Sequence, residues 1–138
     1  MTEAAEHAGR ALGAPHGLIM TDCAVSRGEA SHLRPGGVEI NESMEISRDD
    51  DQNLALFKIN SQAVFTNSDD ELLANVDVTF VCAYDVSDRP ELDSAALSTF
   101  GDSVTRDARP FVREFYASMT NRLGVPVFYL PQMPPNEG

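Results

Sequence analysis

The chain has 138 residues, a length typical of a single domain. Hydrophobic residues make up 42% and charged residues 23%, which indicates a folded globular protein rather than a disordered one. The formal net charge of −12 argues against binding to nucleic acid or to an anionic membrane, because both require a basic surface.

The two cysteines, Cys23 and Cys82, are too few for the disulfide framework of a small secreted domain. Both occupy strand positions, so we expect them in the core as small hydrophobic residues. No stretch approaches the ~20 apolar residues of a membrane span, and the N-terminus lacks a signal-peptide pattern. These features predict a cytoplasmic protein.

The chain divides into a loose N-terminal tail (1–15), one domain (16–133) and a short C-terminal tail (134–138). Within the domain, strands are predicted over residues 18–27, 38–47, 54–66 and 76–86. Short polar turns separate the later strands, which favours an antiparallel meander. In the first strand, Ile19, Cys23 and Val25 share one parity.

The second strand has the period of two expected for a half-buried strand. Its apolar side carries Val38, Ile40, Met44 and Ile46. Glu42 is the exception, because it falls on that apolar side.

After residue 86 the hydrophobic period lengthens to that of a helix. Asp88 resembles an N-cap, and a break is predicted at Gly101. An apolar stripe then recurs every three or four residues, at Val104, Ala108, Phe111, Phe115, Met119 and Leu123. Pro110 should kink this helix or begin a new segment. The fold class is therefore α+β, with a four-stranded antiparallel sheet followed by one long, proline-interrupted helix.

The sequence contains none of the common motifs for catalysis, metal binding or phosphate binding. All three histidines, His7, His16 and His32, fall on the predicted tail or loops. An enzyme would require His16 or His32 to meet a carboxylate in a cleft. We therefore predict a protein that is not an enzyme and has no catalytic residue, no metal site and no cofactor.

The run Pro110-Phe111-Val112-Arg113-Glu114, followed by Ser118-Met119 and Arg122, resembles the long helix of the SecB family of export chaperones. The extended segment after Gly124 and the order of strands before helix are also similar, so the resemblance covers residues 17–133. It implies an ATP-independent holdase for unfolded polypeptides that assembles as a homotetramer, a dimer of dimers.

Two parts of the SecB pattern are missing, a second helix and an acidic tail that docks onto the SecA motor. Their absence argues against SecA docking and favours the branch of the family that protects an antitoxin. General export of preproteins remains the alternative role. A further alternative is an α+β domain that binds a small ligand in a deep pocket.

A chaperone of this kind needs exposed apolar surface, kept soluble by charge. We expect the client-binding groove to be lined by Val38, Ile40, Met44, Ile46, Phe128, Leu130 and Met133. The resemblance implies that the helix also forms an oligomer interface, for which the candidates are Phe111, Phe115, Tyr116 and Met119.

Overall fold

The computed structural model describes residues 12–131 of the chain. The predicted C-terminal tail and most of the N-terminal tail lie outside these residues. The four strands are β1 (Gly17–Arg27), β2 (Pro35–Asp49), β3 (Leu54–Asn67) and β4 (Leu72–Asp85). The helical part consists of α1 (Ser94–Leu97), a 3-10 turn (Ser98–Phe100) and α2 (Gly101–Arg122).

The strands form one antiparallel sheet in the order β1-β4-β3-β2. The predicted meander holds for β2, β3 and β4 but is wrong for β1, which pairs with β4. This order places the two most apolar strands, β3 and β4, at the centre, where their inward side chains are buried on nearly every alternate position. The less apolar strands β1 and β2 form the two edges.

The connection from β1 to β2 crosses the end of the sheet over the β3–β4 turn. The N–H of Gly28 donates to the carbonyl of Leu73, and the N–H of Ser68 donates to the carbonyl of Arg34. At Gly36 a Cβ would lie 1.9 Å from the carbonyl oxygen of Asn67, so only glycine permits this close approach.

Strand β1 contains an irregularity between Met20 and Asp22 that shifts its side-chain parity. Met20 and Cys23 both lie opposite inward residues of β4, whereas Ile19 lies on the other face and is 62% exposed. The predicted shared face of Ile19, Cys23 and Val25 is therefore wrong. The prediction of two core cysteines is confirmed for Cys82, where burial raises the pKa of the thiol to about 11, but Cys23 is exposed.

The first helix begins later than predicted, because the cap is Asp93 rather than Asp88. The Asp93 carboxylate accepts a hydrogen bond from the N–H of Ala96 at 2.8 Å. Residues 86–92 are held outside the helix by Arg48, whose guanidinium donates to three backbone carbonyls of this segment. Pro90 could not donate to the Val86 carbonyl as a helix would require.

Helix α2 is a single element that runs through Pro110, so the prediction of a new helical segment there is wrong. A 3-10 turn directly precedes Gly101, near the predicted break. The row facing the sheet recurs every four residues and consists of Val104, Ala108, Val112, Tyr116 and Thr120. Phe111 therefore leaves the predicted core stripe and is 52% exposed.

One polar pair lies inside the core, between β3 and α2. The hydroxyls of Ser61 and Tyr116 are 2.6 Å apart, and both residues are fully buried. Burial raises the pKa of Tyr116. The Tyr116 ring also meets Phe65 and Phe128 edge to face, so it joins the sheet, the helix and the segment after the helix.

Replacing Tyr116 with phenylalanine is expected to lower the free energy of unfolding by about 1–3 kcal/mol, because it leaves the buried Ser61 hydroxyl without its partner. Adding Ser61→Ala should recover part of this loss. Urea unfolding of the two single variants and the double variant measures the coupling. A Tyr116→Phe protein as stable as the wild type would contradict this role of the pair.

Candidate binding surface

The apolar row of β2 lies on the helix-covered face of the sheet. Val38, Ile40 and Met44 lie opposite Phe65, Ala63 and Ile59 of β3, and Ile46 lies opposite Phe57. Ile40, Met44 and Ile46 are half-buried against the core, whereas Val38 is 43% exposed. The structure thus brings the four predicted β2 residues together along one open edge.

Helix α2 runs beside this row without covering it. At its N-terminus, Gly101 lies beside the sulfur of Met44. Further along, the Arg109 guanidinium is 3.2 Å from a carboxylate oxygen of Glu42. Glu42, the exception in the apolar pattern, therefore forms an ion pair across the groove between β2 and α2.

The segment after α2 places alternate side chains on opposite sides. Leu130 is 3% exposed and belongs to the core, and Phe128 is half-buried against Phe65. Val127 and Tyr129 point outward and are 44% and 58% exposed. The predicted groove residues Phe128 and Leu130 are therefore the inward ones, because a period of two in an extended segment does not reveal which side faces outward. Met133 lies outside the described residues.

A small apolar cavity lies between this segment and the start of β2, with a volume of about 130 Å³. Its floor includes Phe65 and Leu73, and its rim includes Val38 and Val127. The hydroxyl of Thr120 accepts a hydrogen bond from the N–H of Phe128, which fixes the segment beside the sheet. The cavity and the β2 row lie along the same edge of the sheet, and together they are named here the β2 groove.

A second apolar surface lies at the opposite side of the helix, between α2 and β1. It is an open depression of about 270 Å³ whose apolar lining consists of Leu18, Met20, Phe80, Phe111, Phe115 and Met119. Met20 and Phe111 are about half exposed, and Phe115 packs edge to face on Phe80. Tyr116 is fully buried, which removes it from the predicted oligomer interface; the other three predicted residues line this surface.

The sheet face away from the helix is polar. Asn60 donates hydrogen bonds to the Asp77 carboxylate and to the Thr79 hydroxyl across β3 and β4. Glu39, Asn41, Ser43, Glu45 and Ser47 extend this face along β2 and are exposed. Two exposed apolar side chains interrupt this polar pattern: Ile19, which is 62% exposed, and Val64, which is 38% exposed.

The only grouping of metal-binding side chains within residues 12–131 is His32, Asp69 and Glu71, at the crossing loop. The ring nitrogen Nε2 of His32 is 2.7 Å from Asp69, and Nδ1 accepts the N–H of Arg34. A neutral imidazole that accepts a hydrogen bond at Nδ1 carries its hydrogen on Nε2. A metal ion would need the lone pair of Nε2, which this tautomer does not offer.

Glu71 has a structural role in the same loop. Hydrogen bonds from Ser31 and Asn67 hold the pKa of its carboxyl below the usual range. The contact between His32 and Asp69 is made on exposed loops. An enzyme would require a histidine and a carboxylate to meet in a cleft, and this pair does not do so. The cluster fastens the β1–β2 connection to the β3–β4 turn.

No described helix is both long enough and apolar enough to cross a membrane. A scan against models of protein families finds no match, and a search of curated proteins finds none either.

Among solved structures, the chain is similar to Rv1957, a SecB-like chaperone of Mycobacterium tuberculosis solved with a ChAD peptide from the HigA1 antitoxin. The TM-score is 0.75 at 18% identity, over 94% of this chain and 92% of that one. A protein of unknown function from Streptococcus agalactiae aligns with a TM-score of 0.37 at 10% identity, over 84% of this chain and 94% of that one. The similarity to Rv1957 shows that the sheet, the single long helix and the extended segment after it have the SecB-like fold.

Proposed function

We propose that the protein is a holdase chaperone that binds unfolded polypeptide in the β2 groove and needs neither ATP nor a catalytic group. The observation that carries the proposal is the SecB-like fold combined with an open apolar groove along a free sheet edge. Exposed apolar patches on soluble proteins typically mark interaction sites. The free edge of β2 also offers backbone hydrogen bonds to an extended client of any sequence.

The dimensions of the groove favour a polypeptide over a small ligand. The cavity beside Val38 has a volume of about 130 Å³, whereas pockets for small molecules typically enclose about 300–1,000 Å³. It is also open along the strand rather than enclosed between sheet and helix. An extended chain, which inserts one side chain at a time, suits this shape better.

An antitoxin is our preferred client, because the SecB-like chaperone of similar fold was solved with an antitoxin peptide. The general export of preproteins is the second candidate. Mass spectrometry of proteins that co-purify with the tagged chain from its own host distinguishes the two roles. One small protein encoded beside the chaperone supports the dedicated role, whereas a broad set of secretory precursors supports export.

We also propose that the chain forms a homotetramer and that the surface between α2 and β1 contributes to its assembly. The proposal is supported by the half-exposed side chains of Met20 and Phe111 and by the free edge of β1. Two half-exposed large apolar side chains on one face are costly to leave in water, and a second copy of the chain would cover them.

Phe111→Asp is expected to shift the assembly to a smaller species, because it would place a charge in an apolar contact. Sedimentation velocity of the wild type and the variant measures the change. Val64→Asp is the matched control, since Val64 is 38% exposed on the polar face of the sheet. An unchanged sedimentation coefficient for Phe111→Asp would remove this surface from the interface.

A further inference from the structure

We infer that the β2 edge selects extended client segments in which a lysine or arginine lies between two apolar residues, each two positions away. This inference rests on the proposed function and specifies which clients the β2 groove accepts. It follows from the position of one carboxylate, that of Glu42, within the apolar row.

The edge of β2 is acidic. Between Pro35 and Ser47 the charged residues are Glu39, Glu42 and Glu45, with no basic residue among them. In an antiparallel pair of two copies centred on Glu42, Glu39 would face Glu45 and Glu42 would face its own copy, and like charges opposite each other are destabilising. The same charges attract a basic segment. Charge therefore identifies the occupant of this edge as a basic client rather than a second copy of the chain.

The three glutamates differ in where they point. Glu39 and Glu45 lie on the polar outer face, opposite Val64 and Lys58. Glu42 lies opposite Ser61 on the inner face, between Ile40 and Met44. Only the Glu42 carboxylate can therefore meet a client side chain within the β2 groove.

Glu42 is held in place but remains reachable. Its side chain is 30% exposed, whereas that of its partner Arg109 is 11% exposed. A carboxylate offers about four lone-pair sites, and the bond from Arg109 occupies one of them. Arg109 thus orients the carboxylate and leaves it able to accept from a cation that arrives along the edge.

Apolar space lies on both sides of Glu42. One side leads to the cavity beside Val38, and the other is a depression of about 140 Å³ bounded by Met44, Ile59 and Thr105. In a paired strand, directly opposite residues point to the same face. A client strand on the β2 edge would therefore present residues i, i+2 and i+4 to Ile40, Glu42 and Met44. The matching pattern is apolar, basic and apolar.

Three fluorescent nine-residue peptides test this pattern. They share two leucines four positions apart and differ at the midpoint, which is lysine, alanine or glutamate. Fluorescence anisotropy at low salt should give a Kd for the lysine peptide about tenfold below that of the glutamate peptide, with alanine between them. Glu42→Gln should reduce the preference for lysine over alanine to about twofold or less.

Glu45→Gln is the matched control, because it removes the same charge from the same strand but on the outer face. If it reduces the lysine preference as much as Glu42→Gln does, only general acidity attracts the peptide and the inference is overturned. Equal affinity for all three peptides overturns it as well. Amide hydrogen exchange should show new protection along β2 when the lysine peptide binds; protection along β1 instead would contradict the assigned edge.

The proposed function has a separate readout. A wild-type protein that suppresses the aggregation of an unfolded client but ignores the central residue of the peptides retains the chaperone function without this selectivity. A protein that neither binds any peptide nor suppresses aggregation overturns the proposed function, and this inference with it.

Discussion

Replacing Val38 and Val127 together with aspartate is expected to weaken the binding of an unfolded client at least about tenfold while leaving the fold intact. The two side chains form the rim of the same cavity and are 43% and 44% exposed. In the free protein the new carboxylates would remain hydrated, so the stability should change little. A bound client would have to remove that water and place apolar side chains beside two charges.

Isothermal titration with a reduced, permanently unfolded client measures this loss. Leu33→Asp combined with Asn75→Asp is the matched control, because it adds the same charge at two exposed positions away from the cavity. The control should bind like the wild type. If both double variants lose affinity equally, added charge alone explains the effect and the β2 groove is not the client site.

Arg48→Ala is expected to lower the free energy of unfolding by about 3 kcal/mol. The Arg48 side chain is 11% exposed, and its guanidinium donates to the carbonyls of Val86, Arg89 and Leu92 at 3.3, 3.0 and 2.7 Å. The variant would remove a charged donor from all three carbonyls at once. Since these carbonyls belong to the turn that leads from β4 to α1, the start of the helical part should loosen first.

Urea unfolding followed by circular dichroism gives the free energy, and hydrogen exchange locates the loss. Arg34→Ala serves as the control, because Arg34 is an exposed arginine in the β1–β2 connection. It should change the stability by less than about 0.5 kcal/mol. An Arg48→Ala protein as stable as Arg34→Ala would show that the turn is held by its own backbone hydrogen bonds.

The positions of β2, β3 and β4 could be predicted from the sequence, because each has one apolar and one polar face. Their period of two and the short polar turns between them also predicted the antiparallel sheet. The longer hydrophobic period after residue 86 predicted that the helix follows the sheet. The partner of β1 could not be predicted, since a single strand does not reveal which edge it will cover. The change of side-chain parity after Met20 could not be predicted either, because the irregularity in β1 shows only in its pairing with β4.

In helix α2, the sequence did not reveal which row of side chains faces the sheet. Aromatic residues at 111 and 115 fit a core stripe by spacing, but the sheet packs against the neighbouring row that contains Ala108 and Val112. Small and β-branched residues allow closer packing between helix and sheet. Spacing alone does not separate two adjacent rows of a helix, which is why the sequence predicted Tyr116 at an interface and included Phe111 in the core stripe as well as in that interface.

At the candidate site, the β2 row was predictable because its alternation is regular. The outward pair Val127 and Tyr129 was not, because the extended segment offers no reference for its phase. Glu42 was visible in the sequence as an exception, but its role depends on Arg109, which lies 67 positions away. Only the tertiary structure brings the two together.

If the β2 groove holds unfolded polypeptide without ATP, the protein alone should keep an unfolded client from aggregating. The most direct test dilutes a chemically denatured client into buffer that contains the protein and no nucleotide, and follows aggregation by light scattering. Wild-type protein is expected to suppress scattering in proportion to its concentration, whereas the Val38→Asp, Val127→Asp variant is not. Scattering that rises equally with and without the wild-type protein would contradict the chaperone function.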